Sequence, residues 1–355
     1  MKPVCSIVIR AFNEEKHISR LLTGILQQTV KDTQIILVDS GSTDNTVQIA
    51  SNYPVEIVQI RPEDFSFGYS LNQGIRQCRA DKVVFASAHV YPVYPDWLEK
   101  LITPLENPHI ALTYGKQRGM ETTKFSEHMV FRHWFPDHSI DRQDHPFCNN
   151  ANAAIRRDIW EKHPYDETIP ALEDLAWANW AQKQGYQIAY VSEAEVVHVH
   201  NETWNGVFNR YRREGMAFKR IYPHERFSVW DLIRLFFVNS YNDTRQIGTL
   251  TYHLYSNNSL PGGSGDDNRD APSTNISTER KVSRLRRFYE IIRFRWAQFR
   301  GTYLGYRQSS AQLSWKLKQT FYYPKSSFIP PATGSRNIEP ILYTDVSSKN
   351  PGRSE

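Results

Sequence analysis

The chain has 355 residues, of which 40% are hydrophobic and 23% charged, and a net charge of +5. That is the composition of a soluble globular protein, long enough for one large domain plus an appendage or for two domains. No uninterrupted run of about 20 apolar residues occurs, which excludes a spanning helix, and the apolar stretch at the N-terminus is too short for a signal peptide.

The first elements alternate strand and helix. VCSIVI (4–9) is rich in β-branched residues, the kind of run buried on both faces of a sheet. Residues 14–28 then place Ile18, Leu21, Leu22, Ile25 and Leu26 at helical spacing. IILVD (35–39) is the second strand, and SGSTDNT after it supplies turn and N-cap residues for another helix. VEIVQI (55–60), KVVFA (82–86) and HIALTY (109–114) are further strands, with a helix predicted over 68–80. Strands separated by helices imply crossover connections, a mostly parallel sheet flanked by helices and hence an α/β fold. Ligands of such sheets bind beyond the carboxyl ends of the strands. Phe12 and Asn13 follow the first strand, Asp39 ends the second, and Ser87 and His89 follow the fourth. All should therefore line one crevice. Singly, Asp39 reads as a turn residue and His89 as a satisfied loop histidine; their convergence favours binding. No G-x-G-x-x-G follows the first strand and no P-loop motif occurs, which weighs against dinucleotide oxidoreductases and P-loop enzymes.

The segments SIVIRAFNEEKHISRLLTGILQQT, QIILVDSGSTDNT and SLNQGIRQCRADKVVFASAHVYPVYPDWLEKL, in that order, resemble the nucleotide-sugar-binding half of a family 2 glycosyltransferase of GT-A fold. CNNANAAIRRDIWEKHPYDE, EDLAWANWAQKQGYQIAYV and VVHVHNET resemble its acceptor half, close to bacterial rhamnosyltransferase-like members. The resemblance covers about residues 3 to 225. It implies a GT-A domain over 1–225, with the donor half at 1–115 and the acceptor half at 116–225. It also implies inverting transfer from a nucleotide-diphosphate sugar to a hydroxyl of a glycan or lipid-linked acceptor, in surface polysaccharide biosynthesis. Donor-site roles then fall on Phe12, whose ring would stack on the base, and on Glu14, Asp39, Asn72, Ser87 and His89. Leu71 stands where the family carries an arginine before Asn72, and Arg76 one turn later is a substitute.

Where the family has Asp-x-Asp, or T-Q-D-A-x-P, this chain has S-A-H-V-Y-P, with no carboxylate to hold a divalent ion against the diphosphate. An imidazole suits Mn²⁺ or Zn²⁺ better than Mg²⁺, which prefers oxygen. His198 and His200 alternate after a strand-like run, so one of them can face the crevice. A pair of His89 and His200 is the expected metal site, with Mn²⁺ preferred to Mg²⁺. The alternative is direct contact of Ser87 and a cationic His89 with the phosphates. The acidic pair Glu173 and Asp174 opens a helix, where acidic residues also serve merely to favour the N-terminus. The resemblance makes Asp174 the general base. His128, His133, His138 and His145 have no metal-type spacing.

Beyond residue 225 the character changes. A helical extension is expected over 226–255, with an apolar helix at 227–242. A Gly/Ser/Asn-rich linker is expected over 256–278 and a mobile tail over 326–355. The segment 279–325 is basic and aromatic. It reads either as a helix packed on the domain or as one lying on an anionic membrane. No nucleic-acid-binding pattern accompanies it. Three cysteines without metal spacing fit a reduced cytoplasmic setting, at the inner face of the membrane if the basic helix binds there. A catalytically silent nucleotide-sugar-binding module is the rival reading, since Asp-x-Asp is missing. A nucleotidyl- or phosphotransferase is disfavoured by the lack of a phosphate loop.

Overall fold

A computed structural model describes residues 2–120, 122–247, 284–308 and 338–343. At its centre is a sheet of β1 (Cys5–Ala11), β2 (Thr33–Asp39), β3 (Glu56–Gln59), β4 (Lys82–Ser87), β5 (Val90–Pro92), β6 (Ile110–Arg118), β7 (Asn152–Arg156) and β8 (Gln187–His198). Their order across the sheet is β3-β2-β1-β4-β7-β6-β8-β5.

β3, β2, β1 and β4 run parallel. This follows from the crossover helices α1 (Ile18–Leu26), α2 (Thr46–Ala50) and α3 (Phe67–Arg76), since parallel neighbours cannot be joined by tight turns. β7 is antiparallel to β4 and β6, and β5 is antiparallel to β8. The sheet is therefore mostly parallel, as expected, with β7 and β5 alone running the other way among the described strands. The physical reason is the excursion between β6 and β7, which contains α5 (Phe125–Trp134). It starts and ends on the rim where the parallel strands finish, so the chain returns through the sheet in the opposite sense. β8 is parallel to β6 and ends on that rim at His198. Five connections thus converge on one edge of the sheet: those after β1, β2, β4, β6 and β8.

Helices cover both faces. Cys5, Ile7 and Ile9 of β1 pack with α1 and α4 (Trp97–Ile102), while Val8 between them packs with α3 and α7 (Glu173–Lys183). This is the period-two alternation of a strand buried on both sides. Each fully buried Ile or Leu there contributes roughly 1.5–3 kcal/mol. The three cysteines are buried and unpaired.

The expected basic helix is found as α10 (Arg284–Gly305), following α8 (Trp204–Ile221) and α9 (Val229–Arg245); α6 (Arg157–Trp160) is a short turn after β7. One face of α10 packs on the domain, burying Ile291, Phe294 and Phe299. α8 and α10 touch through glycines. A Cβ on Gly215 would lie 2.7 Å from the Thr302 carbonyl oxygen, and one on Gly301 would lie 2.6 Å from that of Phe208. Arg295 of α10 donates to both carboxylate oxygens of Asp243 in α9 at 2.8 and 2.9 Å, with both side chains buried. The opposite side of α10 leaves Leu285, Phe288, Tyr289 and Trp296 exposed. The expected linker (256–278) lies outside the described residues, as do 309–325 of the basic segment and most of the expected tail. Of that tail, 338–343 lie against the sheet edge: Ile341 N donates to Val93 O at 3.0 Å and the Tyr343 hydroxyl to Pro92 O at 2.7 Å.

Candidate active site

The loops after β1 and β2 form one unit. Asn13 adopts φ 55°, a left-handed conformation that asparagine tolerates better than most residues. Its backbone amide donates to Ser42 Oγ at 2.9 Å, and its Oδ1 accepts from Thr43 N at 2.8 Å. Glu14 N donates to Thr46 Oγ1 at 2.6 Å. Asp39 is buried and its carboxylate accepts the amides of Gly41 and Ser42, each at 3.1 Å. Gly41 at φ +85° completes this turn. Phe12 is half-buried beside the same loops.

Glu14 also reaches across the rim, its Oε1 standing 2.7 Å from Nδ1 of His89. Burial opposes charge on His89, but the attraction and hydrogen bond of Glu14 outweigh it and hold the imidazole above its usual value. The His89 ring stacks on His198 with centroids 5.1 Å apart. His198 Nδ1 meets Gln117 Oε1 at 2.7 Å, and His200 Nδ1 meets Glu127 Oε1 at 3.0 Å. The Nε2 atoms of His198 and His200 face each other at 3.0 Å. Burial, together with the neighbouring His200, His89 and Arg210, keeps His198 neutral, well below the ordinary imidazole value. Arg210 donates to Glu127 Oε2 at 2.6 Å and to Glu202 Oε2 at 2.9 Å.

The acidic pair opens α7 on the same rim. Leu172, just before it, has φ 57°, the second non-glycine residue in the left-handed region among the described residues. Such outliers cost about 1–3 kcal/mol and persist where the surroundings enforce them. Asp174 is buried, accepting from Leu175 N at 2.7 Å and Asn150 N at 3.1 Å. Burial first, and then the neighbouring Glu173 carboxylate, push its carboxyl up to about 7. Glu173 lies 3.4 Å from a guanidinium nitrogen of Arg10. The Arg10 charge acts on both Asp174 and His89, so the acidic pair and the histidines share one electrostatic environment. Arg10 also stands beside Ser87 in the β1–β4 register.

Asn72 departs from its expected role. Its amide donates to Tyr165 O and Glu167 Oε1, and its carbonyl accepts from Trp160 Nε1 and Tyr165 N. Both donors and both acceptor positions are spent within the protein. The residue is a buried strut tying α3 to the 160–167 loop, with no capacity for a donor. Arg76 pairs with Glu167 at 3.5 Å on the surface. His128 is held near 4 by burial. Neither it nor His133, His138 or His145 belongs to a group of convergent metal-type side chains among the described residues. Arg10, Gln117, Glu127, His198 and Arg210 were missed as site residues. The sequence pattern places one of His198 and His200 at the crevice; residues two apart in extended chain share a side, and the two rings meet.

Residues 6–163 match the model of glycosyl transferase family 2. The match is to a domain of that family over somewhat less than half of the chain. The chain is 27% identical over 223 residues to the O-antigen chain rhamnosyltransferase RfbN of Salmonella typhimurium, covering 59% of this chain and 71% of that protein. It is 29% identical over 201 residues to the O-antigen chain rhamnosyltransferase WbaN of Salmonella anatum, covering 54% of this chain and 64% of the relative. Its fold matches that of the mannosyltransferase PcManGT from Pyrobaculum calidifontis, solved with GDP-Man and Mn²⁺. The TM-score is 0.52 at 15% identity, over 71% of this chain and 76% of that one. The chain thus has the GT-A fold.

Proposed function

We propose that this protein is an inverting glycosyltransferase that moves a deoxyhexosyl or hexosyl group from a nucleotide-diphosphate sugar to a hydroxyl of a glycan or lipid-linked acceptor. The observation that carries the reading is the buried Asp174, lifted toward neutrality, on the rim that also holds Asp39 and His89. Phe12 and Asp39 would receive the nucleoside, by stacking and by a hydrogen bond. Asp174 would accept the proton of the acceptor hydroxyl as its oxygen attacks the anomeric carbon from the face opposite the diphosphate. The new C–O bond forms as the bond to phosphate breaks, and the electron pair leaves on the diphosphate. A base whose ordinary range lies near the working pH is the efficient one for this transfer. A divalent ion held by His89 and His200 would offset charge on the departing diphosphate, and the imidazole donors fit Mn²⁺ in preference to Mg²⁺.

The O-antigen chain rhamnosyltransferases among its relatives support a role in surface polysaccharide synthesis, and no helix among the described residues is long and apolar enough to cross a membrane. Exposed Trp230, Phe237 and Tyr241 of α9 lie on the same C-terminal helical unit as exposed Phe288, Tyr289 and Trp296 of α10. Aromatic and basic side chains side by side are suited to an anionic interface. Thermal stabilisation across a panel of GDP-, UDP- and dTDP-sugars, followed by transfer assays with the stabilising donors, tests the proposal. A silent binding module would be stabilised by a donor without turning it over on any acceptor.

A further inference from the structure

We infer that His89, His198 and His200 form a three-imidazole site for a nitrogen-preferring divalent transition ion, each ring oriented by its own acceptor at Nδ1. The inference deepens the donor-site reading above, and it extends the ligand set to His198 and the orienting set to Glu14, Gln117 and Glu127.

The argument begins with hydrogen-bond roles. A carboxylate only accepts, so Glu127 beside Nδ1 of His200 at 3.0 Å requires a proton on that nitrogen, as does Glu14 beside Nδ1 of His89 at 2.7 Å. The amide oxygen of Gln117 makes the same demand of His198 at 2.7 Å. With Nδ1 of each ring spent on its acceptor, Nε2 is the atom that His198 and His200 turn toward each other, and these two nitrogens stand at 3.0 Å. At that distance the two nitrogens must share either a proton or a metal ion, and the third imidazole nearby favours the ion. One ligating atom from each of the three histidines comes within 4.8 Å of the others. Two nitrogens bound at about 2.0–2.1 Å to a tetrahedral ion stand roughly 3.4 Å apart, so little movement would be needed. An Nδ1–H tied to a carboxylate or amide oxygen with Nε2 on the ion is how protein sites orient ligating histidines.

Glu127 and Glu202 also gather around His200, but Arg210 occupies both carboxylates at 2.6 and 2.9 Å. They act as an ion-paired support rather than as ligands. The ligand set is therefore neutral, leaving the full double charge of the ion to face a diphosphate and a coordination position for one of its oxygens. All-nitrogen donors place Mg²⁺ last and order the others as Mn²⁺ below Co²⁺ and Zn²⁺.

Full-length protein stripped with a chelator is titrated with Co²⁺ in the absence of nucleotide. The expected result is one ion per chain with visible absorption bands of tetrahedral Co²⁺, displaced by Zn²⁺ and untouched by millimolar Mg²⁺. His198→Gln should abolish the bands. Gln117→Leu, which removes only the orienting acceptor, should weaken affinity tenfold to a hundredfold, with an unchanged circular dichroism spectrum. Absence of Co²⁺ and Zn²⁺ binding would overturn the inference, as would binding unchanged in His198→Gln. An NMR signal for a His198 Nε2–H bonded to His200 in apo protein that persists on adding Zn²⁺ would overturn it equally. Calorimetry with nucleoside diphosphate separates the two readings. Nucleotide binding without metal binding removes this inference alone, whereas metal binding without any nucleotide affinity removes the donor-site reading.

Discussion

Arg10 and Glu173, 163 residues apart in sequence, meet at 3.4 Å and tie the first strand to the acidic pair at the head of α7. The contact leaves Asp174, next in the chain, with a buried negative neighbour. Burial is the larger cause of its raised carboxyl and Glu173 the second. A base acts only when ionised, so kcat/KM should rise with pH through about 7. Glu173→Gln removes the like charge, lowers Asp174 and moves that acid limb to lower pH. A pH–rate profile whose limb stays in place would show that another group titrates.

Asp174→Asn should bind donor normally but lose roughly 10²–10⁴ in kcat, about 3–5 kcal/mol of barrier. Its stability should move the other way. A folded-state value raised from 3.8 to about 7 means that the folded protein holds a proton the unfolded chain has released. Wild type therefore loses stability as pH rises from 3.8 to 7 through this group. The asparagine variant escapes that loss, so its melting temperature relative to wild type should climb between pH 5 and pH 8. Near-normal turnover by this variant would end the base assignment.

Asp39→Ala should weaken nucleoside-diphosphate affinity and also loosen its own loop, because the carboxylate accepts the amides of Gly41 and Ser42. Losing such partners of buried groups costs about 1–3 kcal/mol. Calorimetry with the nucleotide and urea denaturation measure the two effects separately. Unchanged affinity would count against a nucleoside role.

Arg295→Met strands Asp243 as an uncompensated buried charge and should cost about 3–5 kcal/mol. Adding Asp243→Leu should restore most of it, since a well-packed apolar pair often equals a buried ion pair. Urea titration of both variants provides the check.

Binding to anionic liposomes should fall as salt rises, because exposed charges are screened beyond about 10 Å at 0.1 M. Removing residues 279–355 would strip α10 from α8 and expose the domain, so point changes are the better probe. Trp230→Ser with Phe237→Ser, at positions 77% and 64% exposed, should release the protein from liposomes without changing its melting temperature. Sedimentation that is unaffected would place the contact elsewhere.

Local chemistry in the sequence determined a good deal. β-branched runs specified β1, β2 and β4, apolar spacing specified α1, and ordered motifs pointed to the family whose model matches residues 6–163. The carboxyl-end rule also carried Asp39, Ser87 and His89 to one rim, because the side of exit from a strand is a local property. The reversal of β7 was decided only by tertiary structure, since strand direction depends on where a long excursion returns. Asn72 became a strut because Tyr165, Trp160 and Glu167 arrive from about 90 residues downstream to fill its amide. The third difference is the histidine cluster. Two-residue spacing puts His198 and His200 on one side of the chain, but only the anchors Gln117 and Glu127, from β6 and α5, aim the two rings at each other.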